Sequence, residues 1–177
     1  MTPSRSELIL WVGPKHSGKT AAAAALVELA RDEGFRVAGI LSLSVYEGDT
    51  LTGFDVMDLA AGARVPLARR DEPGAIQAGS FGFRAEGIEH GRTALASEAA
   101  RSADLVLVDE FGPLELRGEG WRPAVDELLP VAAGVVLLVV REGLADDVAR
   151  LYERHCPGAV PARAAFIGRV LATLRAR

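Results

Sequence analysis

A glycine-bracketed octapeptide, Gly13-Pro14-Lys15-His16-Ser17-Gly18-Lys19-Thr20, constrains this chain more than any other feature. Before it stands a continuous apolar run, Leu8-Ile9-Leu10-Trp11-Val12. After it, from Lys19 to about Asp32, comes an alanine-rich stretch with Leu26, Val27, Leu29 and Ala30. An unbroken apolar run is what a central parallel strand needs when both its faces are covered. Alanine and leucine favour a helix, and Gly34 supplies a left-handed stop. Strand, glycine loop and helix in that order open a layered α/β sheet.

The rest of the chain repeats the alternation. Phe35 to Val45 reads as a strand, Glu47 to Thr50 as a turn, and Leu51 to Asp58 as the antiparallel partner, with a further short strand around Arg64 to Leu67. The spacing predicts a loop over 69–79, an extended element over 81–89 and a helix over 91–101. Leu105-Val106-Leu107-Val108 is a second core strand, ending in Asp109-Glu110. A loop over 111–120 follows, then a helix that Pro123 opens, a third core strand over 135–140, a helix over 144–154 and a closing helix from about Arg163. This pattern predicts one domain over 1–177, a three-layer and mostly parallel α/β sheet with a β-hairpin insertion between residues 40 and 68.

The octapeptide fits G-x-x-x-x-G-K-[ST], the phosphate loop of the P-loop fold, and its setting between strand and helix is the context that pattern requires. Gly13 and Gly18 let the backbone approach phosphate closely. Pro14, Lys15, His16 and Ser17 are the variable positions of the loop, and the amides of residues 13–20 other than proline surround an anion at the positive end of the next helix. Lys19 would set its ammonium between the β- and γ-phosphates, and Thr20 would offer its hydroxyl to Mg²⁺. Asp109, at the carboxyl edge of the sheet, would hold Mg²⁺ through water, and Glu110 is placed to orient or deprotonate an attacking water. Arg141, just past the third core strand, leads the arginines that could meet the γ-phosphate, ahead of Arg117, Arg70 and Arg84.

Composition excludes several alternatives. A net charge of −4 gives no general attraction to nucleic acid. The longest apolar stretch, 131–140, is too short to span a bilayer, and the polar start of the chain carries no signal-sequence pattern. One cysteine, Cys156, makes no internal disulfide, which points to the cytoplasm. His155 beside it lacks any zinc-site spacing. The chain has no asparagine, so the Asn-Lys-x-Asp guanine-reading motif of GTPases is absent.

With these residues in hand, the sequence resembles the small P-loop nucleoside triphosphatases of thermophiles, a family that in animals includes the cancer-related nucleoside triphosphatase. Three stretches carry the likeness. They are Gly13 to Thr20 with its helix and the segment Gly34 to Ile40; Leu51-Thr52-Gly53-Phe54-Asp55-Val56; and Asp109-Glu110-Phe111-Gly112-Pro113-Leu114-Glu115-Leu116. The resemblance implies Mg²⁺-dependent hydrolysis of the terminal phosphate of ATP, GTP and other nucleoside triphosphates. It also implies a part for Glu115, either near the site or as a carboxylate that caps its loop or pairs with Arg117. The family's basic residue before an aromatic is missing, since Gly82 precedes Phe83 and Arg84 follows it. Beyond Val140 the likeness fades. Two other readings share the loop: a small-molecule or nucleotide kinase with an arginine-rich lid over 64–84, and a nucleotide-switched adaptor resembling those of molybdopterin-guanine dinucleotide synthesis. The sequence leaves oligomeric state open.

Overall fold

The computed structural model describes residues 6–13, 18–153, 161–162 and 166–177. Among them a nine-stranded sheet runs in the order β5-β6-β4-β3-β2-β7-β8-β1-β9. The strands are β1 (Glu7–Gly13), β2 (Val37–Glu47), β3 (Thr50–Asp58), β4 (Arg64–Arg70), β5 (Ile76–Ala78), β6 (Phe81–Phe83), β7 (Leu105–Phe111), β8 (Val135–Arg141) and β9 (Pro161–Ala162). The helices are α1 (Lys19–Asp32), α2 (Ala85–Ala96), α3 (Glu98–Ser102), α4 (Pro113–Leu116), α5 (Arg122–Leu128), α6 (Ala145–Tyr152) and α7 (Phe166–Arg175).

Strands β2, β7, β8, β1 and β9 pair in parallel, while β2, β3, β4, β6 and β5 form an antiparallel meander on one side. The apolar runs divide between two faces because side chains alternate along a strand. Leu8, Leu10 and Val12 of β1 join Val106, Val108, Val136 and Leu138 in a core beneath α2, α5 and α6. Ile9 and Trp11 join Leu105, Leu107, Leu137, Leu26 and Leu171 in a second core beneath α1 and α7. Two cores flanking one sheet give the expected three layers. Full burial of a leucine such as Leu10 or Leu137 stabilises the fold by about 1.5–3 kcal/mol. Helix α1 stops where expected, with the Phe35 N–H donating to the Ala30 carbonyl and the Gly34 N–H to that of Arg31.

The region between Arg69 and Arg101 departs from expectation. Residues 69–79 are not simply a loop, because β4 continues to Arg70 and Ile76–Ala78 forms β5, so the insertion is larger than a hairpin. The extended element stops at Phe83, and the helix starts at Ala85 rather than near Gly91. Gly87 and Gly91 lie within this helix as contact surfaces. A Cβ on Gly87 would lie 2.7 Å from the Leu67 Cα, and one on Gly91 2.8 Å from Trp121 Cη2. Their absent side chains let α2 lie directly on β4 and Trp121. Ser97 then splits the expected helix over 91–101, since its hydroxyl accepts the Ala100 N–H at 3.1 Å and caps α3. Residues 111–120 likewise hold a short helix, α4, which Pro113 opens.

Candidate nucleotide site

The order β7-β8-β1 puts one strand between the two halves of the expected site. At its carboxyl edge Gly13 of β1 is the register partner of Arg141 on β8, and β7 carries Asp109 and Glu110 just before it ends at Phe111. Pro14, Lys15, His16 and Ser17 lie outside the described residues, as do His155 and Cys156. The chain resumes at Gly18, in the left-handed conformation at φ 75°, which caps α1. Lys19 and Thr20 form the first turn of α1, and Lys19 is buried. The positive end of the α1 dipole therefore faces the region next to Gly13.

Thr20 crosses to the other half of the site. Its Oγ1 donates to Asp109 Oδ2 at 2.9 Å. The same oxygen accepts the Ser42 N–H at 3.1 Å, and Oδ1 accepts the Glu110 N–H at 3.0 Å. Asp109 is fully buried, and burial, helped by the neighbouring Glu110 charge, pushes its carboxyl up to about 6 against the pull of these three donors. A carboxylate and a hydroxyl in contact are hard oxygen donors of the kind Mg²⁺ takes, usually one or two from protein with the rest from phosphate and water. Among the described residues no cluster of three or more His, Cys, Asp or Glu could hold a metal ion without such help. The pair suits a cation that arrives with phosphate.

Glu110 has a different geometry from its neighbour. Its φ is 56°, and the β7–β8 register shifts between Val108 and Phe111. This bulge turns Glu110 out of the ladder at the strand end, in a conformation that costs a β-carbon residue about 1–2 kcal/mol. Its partly exposed Oε2 meets the Arg141 guanidinium at 3.5 Å. The other candidate arginines are placed elsewhere. Arg117 pairs with Glu119 at 3.0 Å, Arg84 pairs with Glu72 at 2.8 Å, and Arg70 lies over the Phe81 ring at 4.9 Å. The arginine-rich stretch that the kinase alternative would use as a lid includes strand residues, where Arg64 and Arg69 both pair with Asp55.

Glu115 caps its loop and does not pair with Arg117. It is buried and accepts the Gly112 N–H at 2.7 Å and the Trp121 N–H at 3.0 Å. Burial raises its pKa despite these donors. The carboxylate ties the segment just after Glu110 to the start of α5. Sequence reasoning missed Ser42 altogether. Its one signal was a polar residue flanked by Leu41 and Leu43 within an apolar strand.

Comparison with known proteins adds an independent line. A model of a family described as NTPase matches residues 9–160. The nucleoside-triphosphatase THEP1 of Methanothermobacter thermautotrophicus is 31% identical over 136 residues, 77% of this chain and 78% of that protein. The THEP1 of Pyrobaculum aerophilum is 33% identical over 150 residues, 82% of this chain and 80% of its own. Among solved structures, a human cancer-related nucleoside triphosphatase superposes with a TM-score of 0.67 at 19% identity, covering 97% of each chain. THEP1 from the hyperthermophile Aquifex aeolicus gives 0.66 at 20% identity, covering 94% of this chain and 98% of its own. These two likenesses show that the fold is shared. Among the described residues no helix is long and apolar enough to cross a membrane.

Proposed function

Because the chain belongs to the NTPase family, we propose that it hydrolyses the terminal phosphate of nucleoside triphosphates, ATP and GTP among them, to diphosphate and inorganic phosphate with Mg²⁺. The observation that carries this reading is Glu110, turned out by the bulge at the edge beside Gly13 while its neighbour Asp109 stays buried against Thr20. An acid aimed outward from a metal-binding pair is what water activation needs, and a switch that only binds nucleotide needs none.

In this reading the loop from Gly13 to Thr20, including Pro14, Lys15, His16 and Ser17, holds the phosphates, and Lys19 sits against the β- and γ-phosphates. Thr20 and Asp109 hold Mg²⁺, whose contribution is to neutralise charge across the phosphate oxygens. Glu110 orients a water towards the γ-phosphorus. The water oxygen bonds phosphorus, the bond to the bridging oxygen breaks with its electrons going to the diphosphate, and the water's proton leaves through Glu110. Arg141, already within reach of Glu110, meets the charge that spreads over the γ-phosphate. The kinase reading loses its main support, because the arginines of 64–84 lie in strand and surface pairs. One continuous sheet supports a single domain over 1–177, and the lone Cys156 suits a cytoplasmic protein.

The test is phosphate release from ATP, GTP, CTP and UTP, with and without Mg²⁺, by the wild type and Lys19→Ala. Release that needs Mg²⁺ and disappears in Lys19→Ala is expected. No release from any nucleotide by the wild type would refute hydrolysis, and diphosphate formed without free phosphate, only when an acceptor alcohol is added, would make the protein a kinase.

A further inference from the structure

Tyr152, the last residue of α6, is the largest fully buried side chain among the described residues, and the chemistry above makes no use of it. Its hydroxyl donates to Asp126 Oδ1 on α5 at 3.0 Å. Burial, reinforced by the Asp126 charge, holds that hydroxyl above the usual tyrosine pKa, so it stays a donor. Asp126 Oδ2 in turn accepts the Arg122 Nε–H at 2.6 Å, and Arg122 Nη1 donates to the Glu115 carbonyl at 3.4 Å. The Glu115 carboxylate accepts the Gly112 N–H at 2.7 Å. On its other side the Tyr152 ring lies against the Phe111 ring, with centroids 5.9 Å apart and a tilt of 56°. These contacts form a closed circuit through α5 and α6. It starts and ends on adjacent residues, Phe111 and Gly112, directly after Glu110.

A phenylalanine would fill the same space without desolvating a hydroxyl, so what the hydroxyl adds is a fixed tether between α6 and α5. Glu110 needs such a tether nearby. Its left-handed φ of 56° persists only where the surroundings over-determine it. On the N-terminal side its N–H is held by Asp109 Oδ1 at 3.0 Å. On the C-terminal side the hold comes from the circuit that grips Phe111 and Gly112. We propose that Tyr152 is a positioning residue for Glu110: its ring backs Phe111, and its hydroxyl, anchored on Asp126, fixes that ring so that the bulge keeps Glu110 turned outward. The inference rests on the reading of Glu110 as the acid that orients water. Asp126 and Arg122 act through the same circuit, at a distance from the reacting atoms.

The test uses Tyr152→Phe, which keeps the ring and drops the hydroxyl, and Asp126→Ala, which removes the acceptor from a side chain 43% exposed. Amide hydrogen exchange, read by NMR without nucleotide, should quicken about fivefold at Glu110, Phe111 and Gly112 in both variants. The amides of Leu105 to Val108 should keep their wild-type rates. In phosphate release, kcat should fall about fivefold with KM for ATP within about twofold of wild type. In a Glu110→Gln background neither substitution should slow turnover further, because the acid they position is gone. A merely structural tyrosine would quicken exchange along the whole of β7 and slow turnover by the same factor in both backgrounds. Either result would overturn the proposal, as would unchanged exchange at 110–112 or wild-type kcat in both variants. If the wild type releases no phosphate, the hydrolysis reading fails, and exchange at 110–112 alone then decides whether Tyr152 holds Glu110.

Discussion

Gly120 and Glu115 offer a quantitative test of how the loop after Glu110 is held. Gly120 has a φ of 54°, and a Cβ there would overlap Glu115 Oε1 and lie 3.0 Å from its Cδ. Gly120→Ala therefore imposes about 1–2 kcal/mol of left-handed strain and also displaces the carboxylate. Glu115→Ala removes that carboxylate and leaves the buried Gly112 and Trp121 N–H groups without an acceptor. Each orphaned group costs about 1–3 kcal/mol, partly offset because a carboxylate held above its usual pKa is no longer buried. The net loss for Glu115→Ala is about 2–4 kcal/mol, and for Gly120→Ala about 3–5 kcal/mol, since it strains the backbone and breaks the same brace. The double variant cannot lose the brace twice. Once Glu115 is alanine, Gly120→Ala should add only its strain, giving a coupling of about 2 kcal/mol or more by urea denaturation. Costs that add to within about 0.5 kcal/mol would refute the brace. Both single variants should also lower turnover, because Gly112 is two residues from Glu110.

The remaining predictions concern the site itself. Asp109 binds its proton more tightly in the folded chain, at about 6, than in the unfolded one at 3.8, so its contribution to stability is present at pH 4 and lost as pH rises towards 7. Urea melts of Asp109→Asn should accordingly shift in the variant's favour, relative to wild type, by about 2 kcal/mol between pH 4 and pH 7, and a constant difference would show that Asp109 is not buried as a shifted acid. Glu110→Gln should lower kcat at least about 100-fold with nucleotide affinity kept, measured by steady-state phosphate release and analogue titration. Glu110→Gly should be equally slow yet more stable by about 1 kcal/mol to urea, because the left-handed strain is gone. Arg141→Ala should lower kcat by about 1000-fold with KM little changed, and an equal rise in KM would make Arg141 a ground-state phosphate contact instead.

The parallel core was legible because its signals are local. The runs Leu8–Val12, Leu105–Val108 and Val135–Val140 are each long enough to read alone, and the acidic end of β7 followed directly from them. The region 69–101 was not, because its glycines serve contacts distant in sequence. Gly87 meets β4 and Gly91 meets Trp121, a pairing that no spacing within a helix discloses. The same limit applies to the site. Asp109 and Glu110 stand out as residue types, but the bulge that sends one inward and the other outward arises from pairing with β8. Ser42 acquires meaning only when β2 lies against β7. Glu115 looks like an acid of the site and is held instead by two backbone amides.

The sheet order also bears on edge-to-edge association. Among the described residues its outermost strands are the three-residue β5 and the two-residue β9, while the long apolar strands β7, β8 and β1 lie between neighbours. Short margins offer an incoming strand few unpaired amides, which is how sheets avoid edge-to-edge association. The antiparallel meander thus guards the sheet against self-templating as well as flanking the site. Its weak point is Gly82 in β6, where a Cβ would strike the backbone of Glu72 and lie 2.8 Å from the Gly74 nitrogen. A bulkier residue there would detach β5 and β6 and bare the seven-residue β4, so its first symptom should be aggregation, ahead of any loss at the nucleotide site.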